Sequence, residues 1–255
     1  MNPLFQRLAL LTGTDALDSL AETRVIVFGL GGVGSWCAEA LVRSGVGFID
    51  IVDSDRICVT NINRQVEATS RTVGFSKAET LKERLLEINP ACAVNAMEKV
   101  FSRETAGSFD IARADYVIDA IDSLTFKLDL IEACSEAGVS FFSSMGMAQK
   151  LDPTRLRTAD IWKTEGCPLA RLVRQGLRKR GYSGHFTAVY SDERLPLHEG
   201  AVCGGAACLC PAGGRSGPEW CGMKRVINGS AVTVTAAAGL VLASLVIRGR
   251  MNIHG

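Results

Sequence analysis

A run of glycines near the N-terminus is the first place in this 255-residue sequence where residue spacing suggests chemistry. It follows Thr23–Phe28, an apolar run rich in β-branched residues that predicts a buried strand, and precedes the helical spacing of Ser35–Ser44. The glycines fit G-x-G-x-x-G and are Gly29, Gly31, Gly32 and Gly34. Backbone N–H groups at such a turn can reach a phosphate. Alone, the motif predicts a nucleotide site and leaves NAD, FAD, S-adenosylmethionine and ATP open.

A polar segment follows the second predicted strand, Phe48–Val52. Its first residue, Asp53, stands where a carboxylate could accept hydrogen bonds from the ribose hydroxyls of a nucleotide. The segment continues with the residues Ser-Asp-Arg-Ile-Cys-Val-Thr-Asn-Ile-Asn-Arg and ends at Gln65. We therefore expect several charged groups beside the glycine turn.

This segment resembles a known signature, D-x-D-x-(V/I)-x-x-(S/T)-N-x-x-R-Q. The signature belongs to the ubiquitin-activating-enzyme superfamily, which includes the sulfur-carrier adenylyltransferases of thiamine and molybdopterin synthesis. Lys77 and Asp122 also stand where that superfamily has a lysine and an acidic strand end. The resemblance implies an ATP site with these binding residues: Gly29, Gly31, Gly32, Gly34, Asp53, Asp55, Asn61, Arg64, Gln65, Lys77 and Asp122.

The resemblance also implies a role for the charged members of the set. Asn61, Arg64 and Lys77 would contact the phosphates of ATP, and Asp122 would help to hold Mg²⁺. Attack on the α-phosphate requires the triphosphate to be clamped and its growing charge neutralised, a need that hydride transfer does not share. The predicted catalytic residues are accordingly Arg64, Lys77, Asp122 and Arg7.

Arg7 belongs to this group by resemblance alone. In Phe5–Gly13 it resembles the N-terminal arginine that members of the superfamily supply to the ATP of a neighbouring subunit. A guanidinium reaching across a dimer would stabilise phosphoryl charge. The implied partner is a second copy of the chain, whereas an exposed helix cation is the alternative interpretation.

A closer resemblance runs across most of the chain to the tRNA threonylcarbamoyladenosine dehydratase family. The stretches that carry it are 28–36, 58–65, 73–79, 88–90 and 116–123, with Met145-Gly146 and 151–154. Beyond Tyr190 the match is loose. The resemblance implies that ATP activates the threonyl carboxylate as an acyl-adenylate, and that a carbamoyl atom of the same nucleoside then closes the ring and expels AMP. Such an intramolecular attack needs positioning and no enzyme nucleophile.

The charge distribution fits a tRNA partner. Between Lys150 and Arg180 there are nine basic and three acidic residues, a net charge of +6, which leaves −5 for the rest of a chain whose total is +1. A basic segment on an otherwise acidic protein is typical of nucleic-acid binding, although a solvated helix face gives the same pattern. The candidate tRNA contacts are Arg171, Arg174, Arg178, Lys179 and Arg180.

Two other classes of function stay open from the residues. The first is an adenylyltransferase that activates the C-terminus of a sulfur-carrier protein, and the second is a non-catalytic nucleotide-binding protein. A sulfurtransferase-type protein that assists the reaction stays open as a further partner. The late cysteines, Cys203, Cys208, Cys210 and Cys221, lack the C-x-x-C pairs that sulfur-carrier activators use for structural zinc.

The elements that must position these residues alternate between strand and helix, which predicts an α/β fold with a Rossmann-like, mostly parallel sheet flanked by helices. A C-terminal extension, including predicted strands at Leu151–Ala159 and His185–Tyr190, should complete the sheet. We expect a single adenylating domain over 1–255. Its parts are an N-terminal helical arm (1–22), a nucleotide-binding core (23–144), a basic crossover and helix (145–190), a Cys/Gly-rich loop (191–228) and an apolar C-terminal helix (229–250).

Composition places the chain among ordinary globular proteins, with 47% hydrophobic and 22% charged residues. Nine cysteines, an odd number partly inside apolar runs, favour reduced thiols in the cytoplasm over a disulfide scaffold. No export signal is visible at the start of the sequence. Residues 228–247 carry no charge, but their many small residues favour a buried or interface helix over a membrane span.

Overall fold

The computed structural model describes residues 2–194 and 228–251. Within them lie seven strands: β1 (Arg24–Phe28), β2 (Phe48–Val52), β3 (Ala93–Met97), β4 (Tyr116–Asp119), β5 (Ser140–Ser144), β6 (Leu156–Asp160) and β7 (Thr187–Ser191). The α-helices of the same residues are α1 (Gln6–Thr12), α2 (Thr14–Ala21), α3 (Gly34–Arg43), α4 (Lys77–Ile88), α5 (Leu124–Ala137), α6 (Pro168–Lys179) and α7 (Val232–Arg250). The cysteine-rich stretch with Cys203, Cys208, Cys210 and Cys221 lies outside the described residues.

The seven strands form one sheet in the order β3-β2-β1-β4-β5-β7-β6. All neighbouring strands are parallel except β6 and β7, which pair antiparallel. The predicted mostly parallel sheet is confirmed, and its extension consists of β7 beside β5 and β6 at the edge. Between β1 and β4 the chain reverses the direction in which it adds strands. A cleft opens at such a switch point, at the carboxyl ends of the strands.

The local sequence explains most element boundaries. Ser76 and Glu79 have the spacing of a capping box, which predicts the start of a helix. Helix α4 does begin after Ser76, whose hydroxyl accepts a hydrogen bond from the Glu79 N–H at 3.4 Å. The prediction of a strand from Leu151 was wrong in its first half, since β6 begins only at Leu156. Pro153 lacks an N–H and starts a short 3₁₀ turn, which Asp152 caps by accepting the Thr154 N–H at 2.9 Å.

Apolar side chains cover both faces of the sheet. Helices α3 and α7 pack closely on one face because Gly239 has no side chain, and a Cβ there would lie 2.4 Å from the Val33 carbonyl oxygen. Among the described helices, α7 is long and apolar enough to cross a membrane by length and composition. Its buried residues, including Leu242 and Val246, belong to the core on that face. Packing against α3 matches the expected buried or interface helix.

Candidate functional site

A cleft of about 690 Å³ lies at the carboxyl edge of the sheet, where the switch point predicts one. The carboxyl ends of β1, β2, β3, β4 and β5 lead into it. Of the residues predicted to bind ATP, these line it: Gly29, Gly31, Gly32, Asp53, Asp55, Asn61, Arg64, Gln65, Lys77 and Asp122. Gly34 is the one predicted member that does not. The structure therefore brings together side chains that are spread over almost 100 positions of the sequence.

The glycine turn is shaped by close backbone approaches. Gly29 has φ +85°, and a Cβ there would lie 2.7 Å from the Ala120 carbonyl oxygen. Gly34 opens α3 against Gly29, where a Cβ would lie 1.8 Å from the Gly29 oxygen. The lack of a side chain at Gly34 therefore lets the start of α3 contact Gly29, while the other three glycines line the cleft.

Asp53 ties this turn to the end of β2. Its carboxylate accepts hydrogen bonds from the Leu30 N–H at 2.7 Å and from the Asp55 N–H at 2.8 Å. Burial raises the pKa of Asp53, and the nearby Lys77 ammonium and these two N–H groups oppose that rise. The predicted ribose ligand thus also fixes the backbone that surrounds the nucleotide site.

Lys77 places a buried positive charge at the wall of the cleft. Its Nζ lies 2.9 Å from a carboxylate oxygen of Asp55 and 3.8 Å from one of Asp53. Burial acts to lower the pKa of Lys77, but the two carboxylates outweigh it and the pKa lies above its ordinary value. The ammonium is therefore charged at neutral pH and available to neutralise an anion.

Arg64 and Asn61 are held by the turn that carries the signature. The Arg64 guanidinium donates to the Thr60 carbonyl oxygen at 2.8 Å and to the Asn63 side chain at 3.0 Å. The Asn61 side chain accepts the Cys58 N–H at 2.9 Å. Partial burial lowers the pKa of Arg64, opposed by Cys58 and Asp122, yet an arginine stays charged at any physiological pH.

Asp122 stands across the cleft on the loop after β4 and is exposed. The buried ammonium of Lys127 holds the start of that loop in place. Lys127 Nζ lies 2.5 Å from Asp119 Oδ2 and donates to the Ser144 carbonyl oxygen at 3.0 Å. The other oxygen of Asp119 accepts the Ile121 N–H at 3.0 Å. Lys127 therefore joins the ends of β4 and β5, both of which lead directly into the cleft.

Glu67 lies just beyond the signature and is only 2% exposed. Both of its carboxylate oxygens are buried with no hydrogen-bond partner among the described residues. Burial raises the pKa of Glu67 to about 8, and the nearby Lys77 charge offsets only part of the rise. The Glu67 carboxyl group is thus largely neutral at pH 7, so it does not cancel the positive charge of Lys77.

Several lining residues were not predicted from the sequence. Lys99 follows β3, and the segment Met145–Ala148 follows β5, so the rule that sites form at carboxyl ends of parallel strands could have found both. Asn228, Ser230 and Thr235 also line the cleft. Ser230 joins the signature turn by accepting a hydrogen bond from Asn63 Nδ2 at 2.8 Å, a contact across 167 positions that no local pattern predicts.

Arg7 is not brought to the cleft of its own chain. Its neighbour Phe5 packs beside Gly45, just beyond the end of α3, where a Cβ would lie 3.6 Å from the Phe5 ring. Helix α3 begins at the cleft, and its ten residues extend about 15 Å. The N-terminal arm therefore lies at the far end of α3, and within one chain Arg7 has no part in the site.

The five candidate tRNA contacts, four on α6 and Arg180 directly after it, divide into two groups. Arg174 donates to the backbone oxygen of Thr164 at 2.9 Å and contacts the Thr164 hydroxyl. Arg180 pairs with Asp129 at 2.7 Å and with Glu132 at 2.8 Å. The remaining three, Arg171, Arg178 and Lys179, are exposed and make no ion pair among the described residues.

Comparison with known proteins matches residues 5–248 to the ThiF family. The chain is 36% identical over 253 residues to the tRNA threonylcarbamoyladenosine dehydratase of Escherichia coli K12, covering 95% of this chain and 91% of that protein. It is 44% identical over 189 residues to the Bacillus subtilis protein of that name, covering 74% of each. A crystal structure of the E. coli enzyme TcdA in complex with ATP superposes with a TM-score of 0.81 at 33% identity, covering 97% of this chain and 93% of that one. The chain is a member of the ThiF family.

Proposed function

We propose that this protein catalyses the ATP-dependent dehydration of threonylcarbamoyladenosine next to the anticodon in tRNA, with release of AMP. The observation that carries the proposal is the cleft itself, in which Lys77, Arg64 and Asp122 surround the glycine turn. The near full-length similarity to dehydratases supports the same activity. The free cysteines of the described residues support a reducing compartment such as the cytoplasm.

In the first step, the threonyl carboxylate attacks the α-phosphate of ATP. A bond forms between a carboxylate oxygen and phosphorus, and pyrophosphate leaves. Backbone N–H groups at the start of α3 and the charges of Arg64 and Lys77 stabilise the phosphoryl oxygens as negative charge shifts onto them. Asp53 holds the ribose while keeping the turn in place. The product is an acyl-adenylate.

Mg²⁺ fits the donor set at this site. Among the described residues, no cluster of three or more His, Cys, Asp or Glu side chains could hold a metal. Mg²⁺ at nucleotide sites needs only one or two carboxylates, because phosphate oxygens and water supply the rest of its ligands. Asp122, exposed in the cleft, is the carboxylate that we assign to it. When bound, the ion would neutralise charge on the phosphates.

In the second step, a carbamoyl atom of the same nucleoside attacks the acyl carbon. The bond from that carbon to the adenylate oxygen breaks, AMP leaves with the electron pair, and one proton is lost from the attacking group. Because both reacting groups belong to one nucleoside, the protein needs only to hold them and to exclude water. The reaction requires no enzyme nucleophile.

The tRNA contacts of the proposal are the exposed cations of α6. Leu169, in the first turn of this helix, lines the cleft, and Arg171, Arg178 and Lys179 follow along its exposed side. Phosphates on a bound RNA would compensate these charges. Arg174 and Arg180 would act indirectly, by holding α6 to the loop at Thr164 and to α5.

Arg7 enters the proposal through a homodimer. The cleft of the same chain is too far from Arg7, so the arginine can contact ATP only in a second copy of the chain. Leu10 and Leu11, one helical turn from Arg7 on α1, are each 83% exposed. Exposed leucines beside the arginine support an arm that packs against another protomer.

The direct test measures the products of the adenylation step. Purified protein is mixed with Mg-ATP and with full-length tRNA that carries threonylcarbamoyladenosine, and AMP and pyrophosphate are measured. We expect both products with the modified tRNA and none with the same tRNA lacking the modification. Pyrophosphate exchange that requires a sulfur-carrier protein and ignores tRNA would establish the adenylyltransferase activity instead.

A further inference from the structure

A second group of side chains, remote from the cleft, combines aromatic rings with cations. It lies at the amino end of β7, where the short helical turn Ile161–Lys163, the last turn of α6 and the loop before β7 meet. We define it as the Trp162 cluster, consisting of Trp162, Arg178 and His185. None of the reaction chemistry described above uses these rings.

The Trp162 ring is fixed before any ligand arrives. Its Nε1–H donates to the Gly184 carbonyl oxygen at 2.9 Å, and its backbone N–H donates to an Asp160 carboxylate oxygen at 2.9 Å. The Arg178 guanidinium lies over the ring, with its central carbon 5.4 Å from the ring centroid. The indole is thus fixed and half-buried against the core, with the flat guanidinium of Arg178 exposed above it. A fixed ring loses little conformational entropy when a ligand adds to such a stack.

His185 extends the same surface. Its Nδ1 lies 2.9 Å from the second Asp160 oxygen, and 73% of its side chain is exposed. Asp160 thus orients the indole through one oxygen and the imidazole through the other. The second ring nitrogen of His185 has no hydrogen-bond partner among residues 2–194 and 228–251, so it can serve a polar ligand.

The charge around the cluster is not compensated within the described chain. Lys163, Arg171, Arg178 and Lys179 are exposed and form no ion pair there, in contrast to Arg180. Arg171 and Arg178 are two helical turns apart on α6, about 10 Å along its axis. Uncompensated cations at this spacing, next to flat stacking groups, complement a ligand that carries both phosphates and aromatic rings.

We infer that the Trp162 cluster binds an unpaired base of the tRNA anticodon loop by stacking, while Lys163 and Lys179 contact the adjoining phosphates. This inference rests on the proposed function. Bases in single-stranded loops stack on aromatic side chains and on arginine planes, and the stack tolerates any base. Arg178 is nine residues beyond Leu169 at the cleft, about 13 Å along α6, so one RNA can reach both places.

The test compares variants of the cluster in binding to full-length tRNA that carries threonylcarbamoyladenosine. Trp162→Ala should weaken tRNA binding about fivefold to 100-fold, the range expected for the loss of one stacked base. Trp162→Phe should recover most of that loss. Arg178→Lys keeps the charge without the plane and should also weaken binding severalfold. ATP affinity, which reports folding of the cleft, should stay within twofold of wild type in all three.

Salt dependence separates stacking from charge. Lys179→Ala, the matched variant, should lower the slope of log affinity against log salt by about one, whereas Trp162→Ala should leave that slope unchanged. Binding of tRNA within twofold of wild type by Trp162→Ala and Arg178→Lys would overturn the inference. That result would instead favour an acidic protein as the partner of this surface. Wild-type protein that binds no tRNA and forms no AMP with it would overturn the proposed function as well.

Discussion

Lys77 illustrates how the site depends on the balance of charge around single residues. Two carboxylates, Asp53 and Asp55, keep its ammonium charged although it is only 5% exposed. Because a buried charge must be paired, the lysine and its partners form one unit. In the proposed mechanism, an incoming triphosphate would compete with Asp55, the more exposed partner, for the same ammonium.

Replacing Lys77 with methionine tests this role. The variant keeps the aliphatic chain and removes the charge, so AMP formation should fall by about 100-fold or more, the effect of losing one stabilising group of a transition state. Lys82→Met on the same helix is the control and should be close to wild type. Normal turnover by Lys77→Met, measured as AMP formed with modified tRNA, would remove Lys77 from the site.

Glu67 gives a prediction for pH dependence. Its pKa in the folded protein, about 8, lies above that of an unfolded chain, so the folded state holds a proton that the unfolded state releases near pH 4.5. The stability that this proton contributes is complete below pH 4.5 and is lost as pH rises to about 8. Glu67→Gln should therefore gain stability relative to wild type as pH rises.

The gain should reach a few kcal/mol at pH 9, since each pKa unit corresponds to about 1.4 kcal/mol. Urea unfolding at pH 5, 7 and 9 measures it. Glu79→Gln, at an exposed position of α4, should show no such trend. A constant difference between Glu67→Gln and wild type at all three pH values would contradict the buried, unpartnered carboxylate.

At the scale of elements, a buried ion pair aligns two strand ends. Lys127 on α5 contacts Asp119 at the end of β4 and Ser144 at the end of β5, and both Lys127 and Asp119 have no exposed surface. Asp122 and the Met145–Ala148 segment continue from these ends into the cleft. The pair thus sets the spacing between two walls of the site.

Lys127→Met should destabilise the protein by about 3–5 kcal/mol, because the Asp119 charge stays buried without its partner. A double variant, Lys127→Met with Asp119→Asn, removes that charge and should recover part of the loss. Both variants should bind ATP more weakly than wild type if strand spacing matters to the cleft. Thermal unfolding and ATP titration measure the two effects, and unchanged ATP affinity in a folded Lys127→Met protein would refute the alignment role.

The sequence predicted those elements whose signals are local. Apolar runs that end at glycine or aspartate located β1 and β2, and the Ser76 cap located the start of α4. Lys127 could not be assigned, since a lysine in a helix usually faces solvent and only the sheet order brings Asp119 and Ser144 to it. The hydrogen bond between Asn63 and Ser230 also joins residues far apart in the sequence, so no local signal predicts it.

At the scale of the whole molecule, the N-terminal arm and the cleft lie at opposite ends of α3. If Arg7 acts on the ATP of a partner, Arg7→Ala and Asp122→Ala each inactivate a different half of the shared site. Each heterodimer should then have about half of the activity of a wild-type dimer, because one of its two clefts is intact. After random exchange about half of the dimers are heterodimers, so the mixture should recover about a quarter of the activity. AMP formation after mixing is the measurement.

Unmixed samples of each variant are the controls for that experiment. Failure of the mixture to exceed them, once subunit exchange has been verified, would mean that Arg7 does not complete a partner's site. Gel filtration of wild-type protein should independently show a dimer. A monomer that retains full activity would contradict the arm as a shared element.

Mass spectrometry of nucleosides shows whether the cleft performs ring closure on tRNA. Transfer RNA that carries threonylcarbamoyladenosine is incubated with the protein and Mg-ATP, then digested and analysed. We expect the modified nucleoside to lose the mass of one water, with one AMP formed for each nucleoside converted, and we expect Asp122→Ala to abolish both changes. An unchanged nucleoside in the presence of protein that still binds ATP and tRNA would contradict ring closure by this cleft.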